Sequence, residues 1–231
     1  MKKNQTKLNF FELEFVKYQT ILVCSLPLLM IIGAAVSDII VSIVAISYAI
    51  YAIRNNATLN VFIDKNIFKY LLIFYLFIIF SSLFSTHIFL SLKFSLPYIR
   101  FILLAFLIAF LIKNNSNQFY KFFFISCIVS LSLLFVGSIY EIFSGKNLLG
   151  YENINNQSRI TGLFRKAILG SYVLKILPIF LVSFFFMKKE KNYNNGFFFL
   201  IYFFSAILIF ISGDRAPLLL FSIFSLGCFL F

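Results

Sequence analysis

Residues 119–140, FYKFFFISCIVSLSLLFVGSIY, carry a single charge, Lys121, close to their start. A helix crosses the roughly 30 Å hydrocarbon core of a bilayer with about 20 apolar residues, and this run is long enough. It is too long for a barrel strand, and its apolar residues do not alternate with polar ones. A helix is therefore the form that satisfies its backbone without water. Seven further segments read the same way, at about 19–36, 38–53, 67–86, 96–112, 167–187, 196–212 and 216–231. The first two are separated only by Ala34-Ala35-Val36-Ser37-Asp38, which predicts a tight helical hairpin. The expected architecture is all-α, a polytopic transmembrane helical bundle of about 8 spans.

Composition supports that class. Of 231 residues, 61% are hydrophobic and 12% charged, with a mean hydropathy of +0.98. A water-soluble domain of this length could not hide so much apolar surface. The abundance of Phe, Ile, Asn, Lys and Tyr fits an AT-rich coding sequence, so the Phe stripes carry no functional weight. Residues 1–18 are polar and read as a cytoplasmic N-terminal segment, and 19–231 as one transmembrane domain. No A-x-A site follows the first apolar run, which marks it as a retained span. The chain stops at Phe231 inside the apolar run FSIFSLGCFLF, and more chain is expected downstream.

Net charge is +12, but the cations lie in short clusters between apolar runs, as in loops that flank membrane spans. Anionic headgroups are their ordinary partner, and no nucleic-acid role is expected. Placing the N-terminus inside puts Lys2, Lys3, Lys7, Lys17, Arg54, Lys65, Lys69, Lys113, Lys121, Lys188, Lys189 and Lys191 in the cytoplasm. The opposite side then holds Lys93, Arg100, Lys146, Arg159, Arg165, Lys166, Lys175 and Arg215. The excess favours the N-in orientation.

Conventional catalytic signatures are absent: no Gly-rich phosphate loop, HExxH, GxSxG or paired carboxylates. Cys24, Cys127 and Cys228 each sit in an apolar run without metal-ligand or disulfide spacing. The single histidine, His87, reads as an interfacial side chain, with no local partner for acid–base work.

The cations on the outer side are the unusual feature, since basic residues at a membrane boundary are costly unless paired or bound to an anion. The acids sharing that side are Asp38, Glu141, Glu152 and Asp214. In Ser212-Gly213-Asp214-Arg215-Ala216-Pro217, Gly213 permits an unusual backbone angle, and Asp214 or Ser212 can cap the next helix. Pro217 suits a first helical turn. Arg215 would then stand at a helix N-terminus, where free N–H groups favour anions. An Asp214–Arg215 loop pair snorkelling to the headgroups is the competing reading. Arg159, in Arg159-Ile160-Thr161-Gly162-Leu163-Phe164, is an anion ligand or a solvated loop arginine. Lys146 and Glu152 read as ordinary loop charges.

The stretch RITGLF…ILGSYVLKILPIFL (Arg159 to Leu181) resembles a segment of the O-antigen ligase and O-antigen polymerase superfamily, which reads R-x-T-G-x-F, then LGxxL and a Pro. SGDRAPLLL (Ser212 to Leu220) is similar to that superfamily's S-G-x-R-x-x-L motif. LPLLMIIGAAVSDIIVSIVAI (Leu26 to Ile46) and SLPYIRF (Ser95 to Phe101) also look like it. The four pieces, in order, span nearly the whole chain.

The resemblance implies a multi-pass glycosyltransferase of the bacterial inner membrane, acting in lipopolysaccharide biosynthesis. Its donor would be an undecaprenyl-diphosphate-linked glycan, its acceptor lipid A–core or a growing glycan, and its surroundings membrane lipids. Arg159 and Arg215 match the arginines that hold the donor diphosphate, with Arg100 a third and Gly162 and Asp214 in support. No cofactor and no metal is expected. The family's base, a histidine in a large outer loop after further spans, has no match here, so the catalytic residue is unknown and this stretch by itself is expected to be inactive. Arg165-Lys166 replaces the acidic residue that usually follows the Phe of R-x-T-G-x-F. Alternatives are a polymerase, a transporter or flippase for an anionic lipid-linked substrate, and a scaffold whose cations meet only headgroups.

Overall fold

A computed structural model describes residues 10–54, 65–150, 160–164, 168–190 and 195–230. These are almost wholly helical: α1 (Phe10–Ile32), α2 (Ala34–Arg54), α3 (Lys65–Leu83), α4 (Ile88–Ser95), a 3₁₀ turn (Leu96–Tyr98), α5 (Ile99–Ser144), α6 (Leu169–Glu190), α7 (Asn195–Ile211) and α8 (Arg215–Leu230). Four stretches are long and apolar enough to cross a membrane: Glu12–Ile32, Ala34–Arg54, Ile88–Ser144 and Leu169–Phe186. The chain divides into two compact units. One comprises Met1–Leu26 and Ala34–Phe119, the other Pro27–Gly33 and Tyr120–Phe231.

The faces of α2 show what kind of packing this is. Its buried residues, Ser37, Val41, Val44, Ala45, Tyr48 and Ala52, recur at helical spacing and are mostly small. Ile39, Ile43, Ile46, Ile50 and Ile53 lie on the exposed face. Water would penalise that arrangement. In lipid, large apolar side chains meet acyl tails while small residues let backbones approach one another. Buried hydroxyls fit the same pattern without needing outside partners. Those of Ser130, Ser138, Ser183 and Ser205 each donate to the carbonyl four residues back in their own helix, at 2.8–2.9 Å.

The expected hairpin of α1 and α2 forms, but its junction is Gly33 alone, and Ala34-Ala35-Val36-Ser37-Asp38, read from sequence as the link, are the start of α2. The Gly33 N–H still donates to the Leu29 carbonyl at 3.1 Å, so the chain leaves α1 through a final α-turn. The two helices run antiparallel. The Gln19 amide donates to Ser47 Oγ at 2.7 Å, Tyr51 hydroxyl to Glu12 Oε1 at 3.2 Å, and the rings of Phe15 and Tyr51 stack at 4.3 Å. In the same unit, Phe110 of α5 packs against Tyr48 and Tyr51.

Two connections differ from the sequence reading. Of residues 87–95, which the sequence reading leaves as the link between the third and fourth segments, Ile88–Ser95 form α4, because no glycine or proline interrupts them before Pro97. The polar stretch 113–118 was expected to separate two helices, yet helical backbone continues on both sides of a single break at Asn115 (φ −148°, ψ 57°). An unbroken helix of 46 residues would be about 70 Å long, more than twice the hydrocarbon thickness. The break divides it into two pieces of more ordinary length. Asn114 and Asn115 supply local hydrogen bonds there, to the Phe110 carbonyl at 3.0 Å and to Gln118 Oε1 at 2.6 Å.

In the second unit, the C-terminal part of α5 lies antiparallel to α6. Tyr120 stacks on Phe186 at 4.4 Å and Phe124 on Phe180 at 5.2 Å. α6 presents a buried stripe of Leu169, Val173, Ile176, Phe180 and Phe184, and packs on α7 and α8. Phe135 meets Phe204 of α7 edge-on at 4.7 Å, and the Tyr202 and Ser225 hydroxyls bridge α7 to α8.

If small residues set the approach of the helices, Ala45→Leu should destabilise the chain by about 1–3 kcal/mol through overpacking. Ile43→Leu on the exposed face should change stability by less than about 0.5 kcal/mol. Denaturant titration of the purified protein in bicelles measures both; equal effects would contradict the assignment of faces.

Candidate functional site

Two of the sequence motifs pack on the first turn of α6, in the second unit. α5 closes with Gly145 (φ +70°), whose N–H donates to the Glu141 carbonyl at 2.9 Å. The left-handed conformation at the helix C-terminus is one that glycine adopts without a Cβ penalty. Asn147 follows, 2% exposed, and builds a turn by accepting from the Leu149 N–H at 3.1 Å while the Gly150 N–H donates to its carbonyl at 2.9 Å.

The segment 160–164, the described part of RITGLF, is fastened to this end of α5. Glu141 is 7% exposed. Its Oε2 accepts from the N–H of Thr161 at 2.9 Å and of Gly162 at 2.6 Å, and the Thr161 hydroxyl donates to Oε1 at 3.1 Å. Asn147 Nδ2 donates to the Phe164 carbonyl at 3.2 Å, and the Phe164 N–H closes a turn onto the Thr161 carbonyl at 3.1 Å. Gly162 adopts φ +64°, and a Cβ there would stand 3.3 Å from both Leu169 Cδ1 and Ser138 Oγ. The glycine of the motif thus satisfies a positive φ and a close approach together.

The second motif joins through α6. A Cβ on Gly170 would stand 2.5 Å from Ser212 Oγ and 3.3 Å from Pro217 Cβ. The turn from α7 to α8 therefore lies directly on the first turn of α6, the turn whose Leu169 side chain also reaches Gly162. Gly213 takes φ +68° and donates to the Phe210 carbonyl at 3.2 Å. Asp214 occupies the N-cap position: its carbonyl accepts from the Leu218 N–H at 3.3 Å, and its own N–H donates to Ser212 Oγ at 3.4 Å. α8 begins at Arg215, with Pro217 in its first turn and buried, a position where a missing N–H costs nothing.

Arg215 is exposed, and among the described residues its guanidinium makes no hydrogen bond or ion pair. The Asp214–Arg215 loop pair weighed from sequence does not form. The cation stands at a helix N-terminus whose dipole also favours negative charge. Arg159, Arg165 and Lys166 lie outside the described residues.

Arg100 belongs to the other unit and is already engaged. Its Nη2 pairs with Asp38 Oδ1 at 3.1 Å, its Nη1 donates to Ser42 Oγ at 3.2 Å, and it lies over the Phe101 ring at 5.0 Å. Its Nε is buried with no hydrogen-bond partner among the described residues. Asp38, which the sequence reading grouped only with the outer acids, is its counter-ion. His87 is exposed and precedes α4 without a side-chain cap. Among the described residues no group of three or more His, Cys, Asp or Glu gathers to hold a metal.

Glu141 is the participant that sequence reasoning missed. It had been counted only as one of four outer acids, and nothing local announces that its partners lie twenty residues on. The available signal was a lone carboxylate near the end of an apolar run, which must find donors once buried.

The contact of Gly170 with Ser212 gives a direct test. Gly170→Ala should destabilise the folded chain by about 1–3 kcal/mol, and adding Ser212→Ala should recover a large part of the loss. A thermal or denaturant double-mutant cycle without coupling would show that the two segments do not touch.

No family model matches this chain, and neither a curated protein nor a solved structure shows a significant match to it.

Proposed function

We propose that this chain is the donor-binding part of an O-antigen ligase-like glycosyltransferase, a bundle of about eight spans in the bacterial inner membrane with its N-terminus in the cytoplasm. It would transfer a glycan from undecaprenyl diphosphate to lipid A–core at the periplasmic face. The observation that carries the reading is Arg215: a guanidinium that is exposed and, among the described residues, unpaired, at a helix N-terminus in a turn seated on the first turn of α6, whose Leu169 reaches Gly162 of the RITGLF segment. Breaking a glycosyl–diphosphate bond places negative charge on the leaving phosphate. An arginine fork and first-turn amides are suited to receive that charge. Arg159, three residues before Gly162 in the chain, would supply a second cation.

Arg100 has a smaller part in this reading. Asp38 and Ser42 already occupy two of its nitrogens, so it serves better as a tie between α2 and α5 than as a first contact for phosphate. A polymerase would use the same donor chemistry with a growing glycan as acceptor.

The purified chain in nanodiscs is expected to bind undecaprenyl diphosphate at least about tenfold more tightly than undecaprenol, which shares the tail and lacks the phosphates. Arg215→Ala should erase most of that preference, and Arg215→Lys should restore it in part, since lysine keeps the charge but not the fork. Equal affinity of the unsubstituted chain for both lipids would overturn the proposal.

A further inference from the structure

Glu141 poses a question that the donor reading leaves open. It is a carboxylate in an apolar bundle, 7% exposed, and no cation lies within ion-pair distance of it among the described residues. An unpaired buried charge is expensive unless hydrogen bonds replace its hydration. Here the Thr161 N–H, the Gly162 N–H and the Thr161 hydroxyl converge on it, with the Gly162 N–H closest at 2.6 Å. Two successive amides, the second that of the left-handed Gly162, form a concavity of the kind that binds anions. In this protein the anion is the chain's own side chain.

The consequence runs in both directions. The carboxylate needs the segment, because nothing else described satisfies it. The segment needs the carboxylate, because Thr161 is 8% exposed and its amide has no other hydrogen-bond acceptor among the described residues. Asn147 holds the far end of the same turn through the Phe164 carbonyl. Resting on the donor reading, we infer that Glu141 is a positioning residue: it fixes the backbone of 160–164, and through it the part of the diphosphate site contributed by the RITGLF segment. It does not touch the donor.

Glu141→Gln tests this, because it keeps the shape but turns one acceptor into an NH₂ donor facing N–H groups. Hydrogen–deuterium exchange on the full chain in nanodiscs reads the clamp directly. In E141Q, exchange at Thr161 and Gly162 should rise on the order of 100-fold, while the central amides of α6 and α7 keep their protection. Affinity for undecaprenyl diphosphate should fall at least about tenfold, with little change for undecaprenol. Thr161→Val, which removes only the hydroxyl donor, should produce the same effects at smaller size. It stands in for E141Q if that variant does not insert.

Unchanged exchange in both variants would overturn the clamp. Faster exchange with unaltered diphosphate affinity would overturn the positioning role. If the unsubstituted chain shows no preference for diphosphate over alcohol, the donor reading fails instead, and the clamp is decided by the exchange result alone.

Discussion

Backbone amides and carbonyls that cannot reach water must find partners within the chain, and that constraint shapes nearly everything in this protein. It makes helices the default, and it allows the interior to be less bulky than the exterior. On α2 the isoleucines face outward while serine, alanine and valine face the neighbouring helices. In a bilayer, hydrophobic burial in the usual sense would not drive such an arrangement, because the surroundings of the exposed face would be as apolar as its interior. Close approach, and hydroxyls that return to their own helical carbonyls, hold it together instead.

The same constraint explains where polar side chains have been retained. At several places where the described backbone leaves the helical path, a side chain supplies what the helix no longer does. Asn114 and Asn115 do so at the break in α5, Asn147 at the turn beyond α5, Ser212 at the entry to α8, and Glu141 along the segment before α6. The acid is the most demanding of these, since it carries charge as well as acceptors. It also has the most partners, and it gathers them from a segment twenty residues away.

Arg100 and Arg215 illustrate how alike two arginines can look in sequence and how differently they are placed. Each lies at the edge of an apolar run, shortly after a serine and beside a proline-containing turn. Arg100 folds back onto Asp38 and Ser42 and becomes part of the packing of its unit. Arg215 begins a helix whose N-cap is Asp214, and its own neighbour's carboxylate does not turn to meet it. The difference arises from geometry: Asp38 is presented by another helix at a distance the Arg100 side chain can span.

The sequence by itself determined the helical class, the apolar segments, the α1–α2 hairpin and the capped start of α8. All of these are local, governed by run length, by the spacing of apolar residues and by Gly213, Asp214 and Pro217, although the hairpin's junction at Gly33 was decided by the structure. Tertiary structure alone decided that Gly170 admits Ser212, that Asp38 is the counter-ion of Arg100, and that Glu141 is the anchor of Thr161 and Gly162. Those pairings join residues far apart in the chain through distances of about 3 Å, and no periodicity records them. A lone buried charge has to be satisfied, but which donors satisfy it depends on where the chain returns.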